Sequence, residues 1–222
     1  MPLSVEHNTE MTRFATVLIV VALLGAGPAR AETDRARALE VVQALNTDLL
    51  SHDSATETLH RWCESHAMAA PPVIVAHRVK DQDKPAGPEV RSLLGVGPEA
   101  PVRYRHVELA CGPHVLSEAD NWYLPGRLTA EMNMRLDTSD EPFGAVVRSL
   151  NFHRRTLDAK VLFKAEPESW TLDSAGHPGP TPGVPARVLR HRAVLETPDG
   201  HPFSLVVETY TREVLDFQDP TP

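Results

Sequence analysis

Apolar positions recur every three to four residues along the segment 34–50, D-R-A-R-A-L-E-V-V-Q-A-L-N-T-D-L-L, where Leu39, Val42, Leu45 and Leu49 form one stripe. That period predicts an amphipathic helix. The run D-S-A-T-E-T-L-H-R-W-C predicts a second helix, with Asp53 or Ser54 as N-cap and Glu57 in the first turn. After Pro71-Pro72 the pattern changes, and V-I-V-A-H-R-V reads as a strand. Residues 81–100, rich in Asp, Lys, Pro and Gly, read as a loop.

The run V-R-Y-R-H-V-E-L-A-C has a period of two. It places Arg103, Arg105, Val107, Leu109 and Cys111 on one face of a strand and Tyr104, His106 and Glu108 on the other. Gly112-Pro113 turns the chain, and V-L-S-E-A-D-N-W-Y is the expected partner strand. From Leu128 to Leu150 the pattern reads helix–turn–helix, with Thr129 as one N-cap and Ser139 or Asp140 as the other. N-F-H-R-R-T-L-D-A-K-V-L-F reads as a strand. Residues 166–186 hold Pro and Gly too densely for regular structure and read as a long surface loop. Two β-rich runs then meet across T-P-D-G, a hairpin signal. No internal repeat and no second domain appears, and the order of elements predicts one α+β domain on an antiparallel sheet.

The N-terminus carries a different pattern. From Met11 the chain shows a cation at Arg13, an apolar run from Phe14 to Gly25, and Ala29-Arg30-Ala31. This is the layout of a secretory signal peptide. The expected division is therefore a leader over residues 1–31, cleaved after Ala31, and a domain over 32–222. Glu6 and Glu10 suit no leader, so Met11 is the expected start. The apolar run is too short to span a bilayer, which leaves no membrane anchor after cleavage; an uncleaved anchor is the alternative. The protein is thus expected in the periplasm or outside the cell, as a monomer. In an oxidising compartment Cys63 and Cys111, the two cysteines of the chain, are expected to form a disulfide, with two buried thiols as the alternative.

A formal net charge of −8 over 222 residues argues against a nucleic-acid partner, which needs clustered cations. An acidic chain that binds an anion must do so with a few well-placed cations. The chain has eleven histidines, but no H-E-x-x-H and no C-x-x-C, and His52, His60 and His66 fall on a polar face, so no metal is expected. G-x-S-x-G is absent, and Gly95-Val96-Gly97 is followed by no helix pattern that could cradle a phosphate. What remains are charges inside strands: Arg105 beside Val107 and Leu109, and Glu208 beside Val206 and Tyr210. A charge among apolar neighbours costs several kcal/mol unless it is paired or serves a ligand. One reading is a buried Arg105–Glu208 ion pair, or exposure on an edge strand; the other is a binding site.

Several of these segments together resemble the chorismate pyruvate-lyase family: D-S-A-T-x-x-L from Asp53 to Leu59, Y-R-H-V-E-L, A-D-N-W-Y-L-P, E-P-F-G and V-V-E-T-Y. The resemblance implies a six-stranded antiparallel sheet with helical flaps over a buried ligand, and elimination of pyruvate from chorismate or a related precursor to leave an aromatic acid such as 4-hydroxybenzoate, without cofactor or metal. It implies Arg105 as a carboxylate anchor, Glu208 as a group assisting proton transfer near the ring hydroxyl, and Phe143 as a flap residue on the ligand. Two positions depart from the family pattern. Asn121 stands where the family has a second arginine, and Ala55 stands near a family methionine. Segment 166–186 looks like an insertion. The same fold also serves as an effector-binding module in bacterial regulators, so a non-catalytic binding protein for a small aromatic carboxylate is the alternative expectation.

Overall fold

A computed structural model of the chain describes residues 28–80, 82–165 and 183–217. Most of the expected leader (1–27) and of the Pro- and Gly-rich segment (166–182) lies outside the described residues. No described helix is long and apolar enough to cross a membrane.

Helix α1 (Pro28–Leu50) buries Val42, Leu45 and Leu49 of the predicted stripe and leaves Leu39 partly buried. Helix α2 (Ala55–Ser65) starts at Ser54, whose hydroxyl accepts from the Glu57 N–H. Strand β1 (Ile74–Arg78) follows, and then a short helix, α3 (Pro88–Leu93), in the segment that its composition marks as loop. Pro88 at its first turn needs no intrahelical N–H partner, so the residue that signals a breaker here starts a helix. Strands β2 (Arg103–Cys111) and β3 (His114–Tyr123) form the expected hairpin. Gly112 in its turn has φ +55°, and a Cβ there would sit 2.7 Å from Ala69 Cβ.

Helix α4 (Ala130–Thr138) is capped by Thr129 as expected. Ser139 closes α4 rather than opening the next helix, because its backbone N–H bonds back to the Arg135 carbonyl. Helix α5 (Phe143–Val146) starts later, after Pro142. Strand β4 (His153–Val161) precedes the terminal hairpin of β5 (Arg187–Glu196) and β6 (Pro202–Thr211), which turns across Thr197–Gly200.

The six strands form one antiparallel sheet in the order β1-β2-β3-β6-β5-β4. The two hairpins lie side by side, joined by β3 and β6. Helices α1 and α2 cover one end of a sheet face over Leu109, Leu189 and Tyr210, while α4 and α5 cover the other end over Tyr123, Leu195 and Phe203. The opposite face is partly covered by α3 and its loop around Trp122, Val194 and Leu205. Cys63 of α2 and Cys111 of β2 form a disulfide that ties the helix to the sheet. Closing a loop of 48 residues contributes about 4 kcal/mol in the chain-entropy view.

Candidate functional site

At the seam between the two core clusters the sheet is not packed solid. The empty space there, open solvent at its mouth included, is about 500 Å3. Little of it is as wide as a water molecule, so floor and roof lie close together. Its floor is the covered face of β2, β3 and β6: Arg105, Val107, Ala119, Asn121, Val206 and Glu208. Its roof is the start of α2, with Ser54, Ala55 and Thr56, together with Phe143 and Gly144 of α5. Phe152, Arg154 and Leu195 close the end nearest β4.

Sheet register explains the floor. Arg105 pairs with Asn121, which pairs with Val206, and one row along Val107, Ala119 and Glu208 are aligned in the same way. Period-two alternation therefore brings every polar side chain of the floor to one side of the sheet. Arg105 is 3% exposed, yet it has no carboxylate partner among the described residues. Its Nη2 donates to the Glu141 carbonyl at 3.2 Å, while Nε and Nη1 are buried without an acceptor. Burial pushes its pKa down, and the nearby Arg78 charge adds to the effect. Arginine nonetheless keeps its charge in proteins, so the cost of burial stays in the folded chain.

Asn121 is equally buried. Its Oδ1 accepts from the Ser204 hydroxyl at 2.6 Å, and its Nδ2 has no acceptor. Glu208 is bound quite differently. Its Oε2 accepts from Arg154 Nη2 and, at 3.2 Å, from the Tyr210 hydroxyl. Burial of the Arg154 guanidinium opposes its charge, but the Glu208 carboxylate outweighs that and holds its pKa up. Burial also pushes the Tyr210 hydroxyl well above its ordinary range, so it stays protonated as a donor. The buried ion pair of this site is thus Arg154–Glu208. The Arg105–Glu208 pair, one of the readings open from the sequence, does not form: Arg154, equally two strands away on the β4 side, takes the Glu208 carboxylate instead.

The uncharacterized protein y4mC of Sinorhizobium fredii is 49% identical to this chain over 224 residues, 94% of each chain. The chain belongs to the y4mC family. No family model matches it. Among solved structures, the y4mC-family chain is similar to YydK of Bacillus subtilis, a possible transcriptional regulator, with TM-score 0.40 and 16% identity over 67% of this chain and 62% of that one. The match leaves more than a third of YydK uncovered. It is also similar to the ligand-binding domain of a GntR-family transcriptional regulator from Bordetella bronchiseptica, with TM-score 0.41 and 16% identity over 67% of this chain and 89% of that one. Likenesses at this level decide nothing about function.

In this y4mC-family chain Arg105, Glu208, Asn121, Phe143 and Ala55, the residues singled out in the sequence, all line the one cavity. Arg154 and Phe152 line it as well, and sequence reasoning misses them. Their signal is faint: they stand two apart in N-F-H-R-R-T, a spacing that gives one strand face, but polar neighbours hide the alternation. A group with metal-type ligands lies elsewhere, where His114, Glu213 and Asp216 bring three such atoms within 4.8 Å. There Glu213 already accepts from the Val115 N–H at 2.6 Å.

Proposed function

We propose that this chain is a binding protein for a small carboxylate on an aromatic or similarly apolar frame. The observation that supports this most is Arg105, a buried guanidinium whose Nε and Nη1 have no acceptor, beside an Asn121 amide in the same condition. A carboxylate placed between them supplies both the missing charge and the missing acceptors. Phe143, Phe152, Val107 and Val206 offer apolar surface for a ring. The reading includes export through the leader at residues 11–31 and a monomeric domain free in the periplasm or outside the cell. Intact mass of the protein recovered from a bacterial periplasm checks the leader, with a mature chain beginning at Glu32 expected.

Calorimetry with 4-hydroxybenzoate and benzoate tests the ligand class. Arg105→Ala is expected to weaken binding by about 1.5–3 kcal/mol, the net worth of a charge-assisted hydrogen bond. Binding that survives this substitution unchanged removes the proposal.

A second reading, elimination of pyruvate from chorismate or a related precursor, is favoured by Arg105 and Glu208 sharing one cavity. In it Arg105 holds a substrate carboxylate and Glu208 assists proton transfer. The Arg154 contact weighs against it, since a proton taken by Glu208 leaves the Arg154 charge uncompensated. Release of pyruvate and 4-hydroxybenzoate from chorismate by the mature protein decides between the two.

A further inference from the structure

The charges inside the cavity can be counted. Arg154 and Glu208 cancel each other across their ion pair. Asp53 stands at the rim, its side chain 52% exposed, and accepts from the Arg154 backbone N–H at 2.7 Å. Arg78, whose charge is felt at Arg105, is exposed and is not part of the lining. The interior therefore carries one uncompensated positive charge, on Arg105. The other orphaned donors are Asn121 Nδ2, which is neutral, and Arg154 Nε, whose guanidinium is already paired.

Ser204, fully buried, can satisfy only one side of the Asn121 amide. By donating to Oδ1 at 2.6 Å it leaves Nδ2 as the group without a partner. Arg105 and Asn121 are direct cross-strand partners, a placement that puts Cβ atoms about 4.5–5.5 Å apart. One carboxylate can span them, with one oxygen on each. A second carboxylate anywhere in the cavity meets no free cation and faces Glu208 or Asp53 instead.

From this count we infer that the cavity selects monoanions, with Arg105 and Asn121 gripping a single carboxylate, Ser204 acting as the positioning residue that holds the Asn121 amide, and the rest of the ligand uncharged. The inference rests on the carboxylate reading above and narrows it to one charge state.

Terephthalate and 4-carbamoylbenzoate have nearly the same outline but carry two charges and one. Calorimetry on the full mature protein is expected to show 4-carbamoylbenzoate binding at least about tenfold more tightly, the cost of burying one unpaired charge. Asn121→Arg, which adds the second cation, is expected to shrink or invert that ratio. Ser204→Ala leaves the amide unheld and is expected to weaken 4-carbamoylbenzoate about two- to tenfold. A role for Ser204 in stability alone would move the unfolding midpoint and leave that affinity where it was, which counts against the positioning assignment. Equal or tighter binding of terephthalate by the unaltered protein overturns the charge count, and so does failure of 4-carbamoylbenzoate to bind a protein that binds benzoate. If benzoate, 4-hydroxybenzoate and both para acids all fail to bind, the carboxylate reading itself is lost.

Discussion

Arg105 and Arg154 are both sealed from water beneath the same flap, yet only Arg154 has a carboxylate beside it. The two should respond oppositely to the same change. Arg154→Met strands the buried Glu208 charge and is expected to cost about 3–5 kcal/mol of stability. Arg105→Met removes a charge that the fold does not compensate and is expected to raise stability by about 1–2 kcal/mol while weakening carboxylate binding as Arg105→Ala does. Urea unfolding of the two variants checks the contrast, and a loss at Arg105 as large as that at Arg154 would mean Arg105 serves the fold. This scale also shows how much of the site could be read from the sequence. Arg105 and Glu208 stand out because each interrupts an apolar period-two pattern. Arg154 lies between His153 and Arg155 on an edge strand that is mostly exposed, so its burial comes from the flap and not from its own strand.

The element that seals the site is the contact between α2 and α5. It depends on Gly144: a Cβ there would lie 2.9 Å from Thr56 Oγ1 and 3.2 Å from Ser54 Oγ. The exposed Arg148–Glu57 ion pair adds little to that contact, as is usual for surface pairs. Gly144→Ala is therefore expected to push α5 off α2 and cost about 1–3 kcal/mol, the usual penalty for overpacking. Thr56→Ala removes the obstructing hydroxyl, so the double variant should recover much of the loss; thermal unfolding of the four proteins in a double-mutant cycle measures it. An additive cycle would show that the helices do not meet through these two residues. The sequence marks this flap only in part. Thr129 and Ser54 announce their helices through local capping chemistry, whereas α5 spans only Phe143–Val146 and is stabilised by packing on the sheet, too short for a periodic signal.

At the scale of the whole molecule, each hairpin is readable because its turn and register are local, while the β3–β6 seam that joins them pairs residues 117–123 with 204–210 and leaves no local signature. Helix α1 lies against β4 and β5, and beneath it His191, cross-strand partner of Glu208, is fully buried with its Nε2 on Asn46 Oδ1 at 2.7 Å. Burial pushes the imidazole pKa down to about 4; the Glu208 charge resists and the Arg154 charge assists. Between pH 6.5 and about 4 the unfolded chain thus binds a proton that the folded chain refuses. Stability from this group is complete above pH 6.5, declines as pH falls, and is fully lost below about pH 4, a change on the order of 3 kcal/mol. Carboxylates titrate over part of the same range, so the wild-type slope alone does not isolate the histidine. His191→Phe abolishes its titration whatever it does to stability at neutral pH. Urea unfolding of both proteins from pH 7.5 to 4 is expected to show a shallower decline for the variant, with the difference opening below pH 6.5. Parallel curves would mean that His191 takes up its proton in the folded chain, and that the covering by α1 is looser than the buried ring implies.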